Sequence, residues 1–101
     1  MRKVFLFFLC STLGSAAVAM DPDECRKLSG VAKTIMEARQ KGMPMADMMD
    51  VATAQGDTPF GNFTKSTTIA AYEEPRFGTP EMRSRAISEF ENGIYLECIK
   101  N

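Results

Sequence analysis

Cys25 and Cys98 stand close to the two ends of the region that can fold, and the residues ahead of them decide what they can do. Arg2 and Lys3 give a positive start, and Val4 to Leu9 (VFLFFL) open an apolar stretch that weakens through Leu13. Ala17-Val18-Ala19 then places small residues at the two positions a signal peptidase reads. This is the layout of a secretory leader, with cleavage expected between Ala19 and Met20. The apolar stretch is too short to serve as a permanent membrane helix. Residues 1–19 are therefore read as a cleaved signal peptide and residues 20–101 as one mature domain in an oxidising compartment, periplasmic or secreted.

In that compartment free thiols do not persist, and the two cysteines of the mature chain allow a single pairing, Cys25 with Cys98. The third, Cys10, leaves with the leader. A lipoprotein reading would place Cys10 at a cleavage site, but Leu9 sits where a small residue is wanted. A redox-active pair needs close spacing such as C-x-x-C, so the pair is read as a structural staple joining the start of the domain to its end. Closing so long a loop stabilises by roughly 4 kcal/mol on the chain-entropy model. A domain this small has only a few kcal/mol from its core, and a staple is expected.

The periodicity is helical. Asp21-Pro22-Asp23-Glu24 reads as an N-cap, a proline at the first helical position and an Asp-x-x-Glu capping box. Cys25, Leu28, Ala32, Ile35 and Met36 follow at three-and-four spacing, with Lys33, Glu37 and Lys41 on another face, and Gly42 ends the segment. A shorter helix is expected from Pro44 to Ala54, with Met45, Met48, Met49 and Ala52 inward. Gly56 to Gly61 reads as a loop on turn chemistry. Asn62 is expected to cap a third helix through Tyr72, ended by Pro75; Ser66-Thr67-Thr68 resist helix interiors. Thr79-Pro80-Glu81 starts a fourth helix to about Cys98, with the stripe Met82, Ala86, Ile87, Phe90, Ile94 and Cys98, outer pairs Glu81 with Arg85 and Arg85 with Glu89, and a kink or close packing at Asn92-Gly93. The expected fold is all-α: a small four-helix domain stapled between its first and last helices, whose up-and-down connection brings Cys25 and Cys98 to the same end.

Charge and composition exclude more than they name. Taking Arg2 and Lys3 from the twelve basic residues leaves ten against thirteen acidic, a net charge of −3. No basic block marks a nucleic-acid partner, and no cationic amphipathic face marks a lipid surface once the leader is gone. Catalysis lacks its commonest base, since the chain has no histidine, and the thiols are committed to the staple. Asp47 with Asp50, Glu73 with Glu74, and Glu89 with Glu91 are paired carboxylates of the kind glycoside hydrolysis uses. They fall where solvated faces are expected, and no enzyme is read from them.

Two segments invite a functional reading. Met43, Met45, Met48 and Met49 form the run M-P-M-A-D-M-M, and soft thioethers suit Cu(I). Methionine also fills irregular cores, and the same residues fall on the inward stripe of the second helix, so core filling is favoured over a metal site. Tyr72-Glu73-Glu74-Pro75-Arg76-Phe77 gathers aromatic and arginine side chains into a connection between helices. These are the residue types that anchor protein interfaces, which makes Tyr72, Glu73, Arg76 and Phe77 the candidate partner-binding residues. Against that stands a structural use: Tyr72 and Phe77 folded back onto the core, with Arg76 paired to Glu73 or Glu74. Asn62-Phe63-Thr64 is a glycosylation sequon, read as accidental behind a bacterial-looking leader.

The early Cys-x-x-Leu (Cys25, Leu28), the runs Ile35 to Gly42 and Ala71 to Phe77, and the late Tyr95-Leu96-Glu97-Cys98 together resemble small exported proteins of unassigned function in bacteria and their phages or prophages. The resemblance implies a periplasmic location and a phage or accessory-gene setting. The expectation is a non-catalytic domain, without cofactor, that binds another protein of the periplasm or envelope, as an inhibitor, immunity or superinfection-exclusion factor does. A Met-rich copper-binding protein is the alternative. A stress-protective chaperone is a second, weakened by the missing histidine switch.

Overall fold

The computed structural model describes residues 20–101, and the expected leader lies outside them. Four helices follow one another: α1 Pro22–Lys41, α2 Met45–Thr53, α3 Pro59–Glu73 and α4 Pro80–Lys100. No strand occurs among the described residues. Cys25 and Cys98 are bonded, with Cα atoms 5.6 Å apart across 73 positions of chain. The staple therefore ties the first turn of α1 to the last turn of α4, as the spacing predicts.

Local chemistry sets each boundary. Pro22, Pro59 and Pro80 open α1, α3 and α4 at positions where a missing N–H costs nothing. Thr58 Oγ1 accepts from the Gly61 N–H at 2.9 Å and Thr79 Oγ1 from the Met82 N–H at 3.2 Å. The expected box at α1 does not close: Asp21 is the N-cap residue but its side chain makes no capping bond, and Glu24 lies 3.9 Å from Lys27 instead. Gly42, at φ 97°, ends α1; its N–H donates to the Arg39 carbonyl and that of Met43 to the Ala38 carbonyl.

The third helix starts earlier than Asn62, at Pro59, because Thr58-Pro59 repeats the cap-then-proline signal inside what reads as a loop. It also runs unbroken through the Ser-Thr-Thr segment. Thr64 Oγ1 and Thr68 Oγ1 each donate to the carbonyl four residues back at 2.8 Å, which satisfies the hydroxyls within the helix. These small side chains form a closely packed face in which Gly61, Thr64, Thr67, Thr68 and Ala71 are all buried. At Gly61 a Cβ would run into the Gly56 carbonyl, so the loop closes onto the helix only with glycine there.

The core joins Ile35 and Met36 of α1 with Met48 of α2 and Ala71 of α3, and Ala86, Ile87 and Phe90 of α4 pack against it. α1 is the shared neighbour. α4 lies along α1, α3 packs on both α1 and α2, and α4 has no comparable seam with α2 or α3. No α4 residue is fully buried. The inward stripes follow the expectation in α1, where Leu28 alone is half-buried, but not fully elsewhere: Met45 and Met82 are exposed, at 39% and 41%. The Asn92-Gly93 step does not interrupt α4, and the outer pairs expected around Arg85 do not form ion pairs.

Candidate functional site

The connection from α3 to α4 carries the residues that sequence reasoning singles out, and three of its four candidates are engaged inside the molecule. The Tyr72 hydroxyl donates to the Met43 carbonyl at 2.7 Å, and the Arg39 guanidinium lies 5.2 Å from the Tyr72 ring centroid, a cation–π distance. Burial pushes the Tyr72 phenol above its ordinary pKa of 10.0; Arg39 pulls it back and Asp47 adds to the rise. Arg76 does not pair with Glu73 or Glu74. Its Nε donates to the Gln40 carbonyl at 3.1 Å and its Nη2 to that of Lys41 at 3.5 Å, over the bare Cα of Gly42. Arg76 thus places a positive charge on the negative end of the α1 dipole and satisfies carbonyls the helix leaves unpaired.

The arrangement is reciprocal. Arg39, from α1, donates through Nε and Nη2 to the Glu74 carbonyl at the end of α3, at 3.1 and 3.0 Å. Between the two arginines Gln40, fully buried, donates to the Pro75 carbonyl and accepts from the Phe77 N–H, both at 2.9 Å. Sequence reasoning missed Gln40 and Arg39: their partners lie 35 to 37 positions away, and no local pattern marks them. Glu73 is exposed and makes no such contact; Phe77 is half-buried and points the turn toward α4, where Arg83 Nε holds its carbonyl at 2.8 Å.

Because α4 is seamed to α1 alone, an open groove of about 510 Å³ runs along it. Met36 forms its floor, Phe77 and Glu74 close one end, and Met82, Ala86, Phe90 and Ile94 line the α4 side. Arg85, Glu89 and Glu97 stand along the rim. The candidate contact segment and the groove therefore meet at Phe77.

The methionine run is divided by its helix. Met48 is buried in the core, Met49 is half-buried, and Met43 and Met45 are exposed. Core placement removes Met48 from any four-thioether set, while Met45 does not fill the core as its spacing predicts. No cluster of three His, Cys, Asp or Glu side chains could hold a metal among the described residues.

Fold and groove together define a small all-α domain, stapled end to end, with an apolar channel left open beside its last helix. No known family model, curated protein or solved structure matches the chain, so the groove and its neighbourhood carry the functional reading.

Proposed function

We propose that this chain is an exported, non-catalytic domain of the periplasm or envelope that acts by binding another protein, as an inhibitor, immunity or superinfection-exclusion factor would. The observation that carries the reading is the groove along α4: an apolar floor rimmed by charge, bordered by Phe77, and left open by the one-sided attachment of α4. An apolar centre with a polar rim is the arrangement protein-docking sites present. The disulfide is compatible with the oxidising compartment to which the leader would direct the chain. The phage or prophage setting belongs to this proposal on the strength of the resemblance alone.

The test is affinity capture from envelope extract, comparing the wild type with Met82→Glu, a substitution at an exposed groove position. A stoichiometric partner held by the wild type and lost from the folded variant supports the reading. Absence of any partner, or one held equally by both, contradicts it.

A further inference from the structure

Three features of the groove together describe an occupant. Its floor and α4 wall are apolar. Its rim carries three carboxylates, Glu74, Glu89 and Glu97, against one guanidinium, Arg85. Of the three, Glu97 alone has an ion-pair partner among the described residues, the exposed Lys100 at 3.9 Å, a contact that contributes little in water. Finally, the Cβ that Gly93 lacks would meet open space. A glycine inside a helix weakens that helix relative to alanine. Here it leaves the α4 backbone bare on the groove wall, where an incoming element can approach closely.

We infer that the groove receives an amphipathic helix of the partner protein, its apolar face flanked by Lys or Arg. This rests on the protein-binding reading and names the chemistry of the partner. Groove residues recur along α4 from Met82 to Glu97 at helical spacing. That stretch is about 22 Å long, room for roughly four turns of a partner helix laid beside it. Apolar anchors at i, i+3, i+4 and i+7 fit such a channel. Basic flanks would meet the acidic rim, which sets orientation and speeds encounter. A second copy of this chain is the poorer occupant, because pairing through α4 would set one acidic rim against another.

The probe is a peptide of about 18 residues built from leucine and lysine with one apolar face, long enough to form a helix. It is titrated calorimetrically into the full chain expressed with its own leader and purified with the disulfide formed. The lysine peptide is expected to bind at least about tenfold more tightly than its counterpart with glutamate at every lysine position. Glu89→Gln with Glu97→Gln is expected to weaken binding about fivefold, and Met82→Glu about tenfold, with unfolding temperatures unchanged. Asp47→Asn with Asp50→Asn removes the same charge on the exposed side of α2, which has no seam with α4, and is expected to leave peptide affinity unchanged. Equal affinity for both peptides, or equal loss from both carboxylate pairs, would overturn the inference. So would a concentration-dependent dimer that Met82→Glu abolishes. Failure of the peptide to bind, while a captured partner is still lost on Met82→Glu, would sink this inference and leave the protein-binding reading standing.

Discussion

α1 is held by its two long neighbours in opposite ways. Toward α3 it meets small, buried residues, of which Thr64 and Thr68 bond back within their own helix, and the two C-terminal ends are locked by Arg39, Gln40 and Arg76. Toward α4 it meets the larger side chains Ile87, Phe90 and Ile94, with Ala86, and all are only half covered. What the α4 seam lacks in burial it recovers in covalent attachment, through Cys98 at its far end and the short turn held by Arg83 at its near end. The difference teaches where the domain can afford an open surface. The α3 side buries its contact residues completely, and the α4 side covers its own only in part.

Breaking the tether should produce the largest effect. Cys25→Ala with Cys98→Ala is expected to cost about 4 kcal/mol in chemical denaturation, because the unfolded chain regains the freedom of a long loop. A loss below about 1 kcal/mol would mean that the α4 seam holds by packing alone. Met36→Ala comes next, at about 3 kcal/mol, since Met36 is fully buried and belongs to the one cluster that both α3 and α4 touch. It should weaken both sides together, whereas a substitution confined to α4 should not.

Gln40→Ala sharpens the comparison on the α3 side. It strands the Pro75 carbonyl and the Phe77 N–H, and a loss of about 2 kcal/mol is expected, read by thermal or urea unfolding. Tyr72→Phe is the mildest, about 1 kcal/mol for the bond to the Met43 carbonyl. Its pH dependence is more telling than its size. Burial raises the folded phenol above 10.0, so the folded chain keeps a proton that the unfolded chain has released. Stability should therefore fall as pH rises past about 10, and Tyr72→Phe should remove that part of the fall. Identical alkaline slopes for the two proteins would contradict the assigned environment.

The legible parts of this molecule are those written in short-range chemistry. Pro22, Pro80 and Gly42 mark real boundaries, the three-and-four stripe of α1 is its buried face, and the staple follows from two cysteines placed at the ends. The start of α3 carried the same Thr-Pro signal as α4, but the surrounding Gly56, Asp57 and Gly61 read as turn and hid it. Thr67 and Thr68 read as helix-resistant because their hydroxyls compete with the backbone; in α3 the Thr68 hydroxyl bonds back instead, and the small side chain becomes an asset in close packing.

The site was legible only in outline. Aromatic and arginine residues at Tyr72, Arg76 and Phe77 do mark a place where the chain does something particular. What Arg76 does, capping α1 across 36 positions, depends on tertiary geometry that no local pattern encodes. The groove is less legible still. Met82, Ala86 and Phe90 have the spacing of a core stripe, and the same stripe would serve whether α4 were packed on one neighbour or two.

The central claim is that α4, nowhere fully buried, depends on the Cys25–Cys98 tether more than α3 does, and hydrogen exchange tests it most directly. Amide protection should be followed in the oxidised protein and again after reduction of Cys25–Cys98. Amides of residues 80–100 are expected to lose protection by a much larger factor than those of α3, whose buried face the disulfide does not touch. Equal loss across all four helices would show one cooperative unit, and would contradict the division on which the open groove depends.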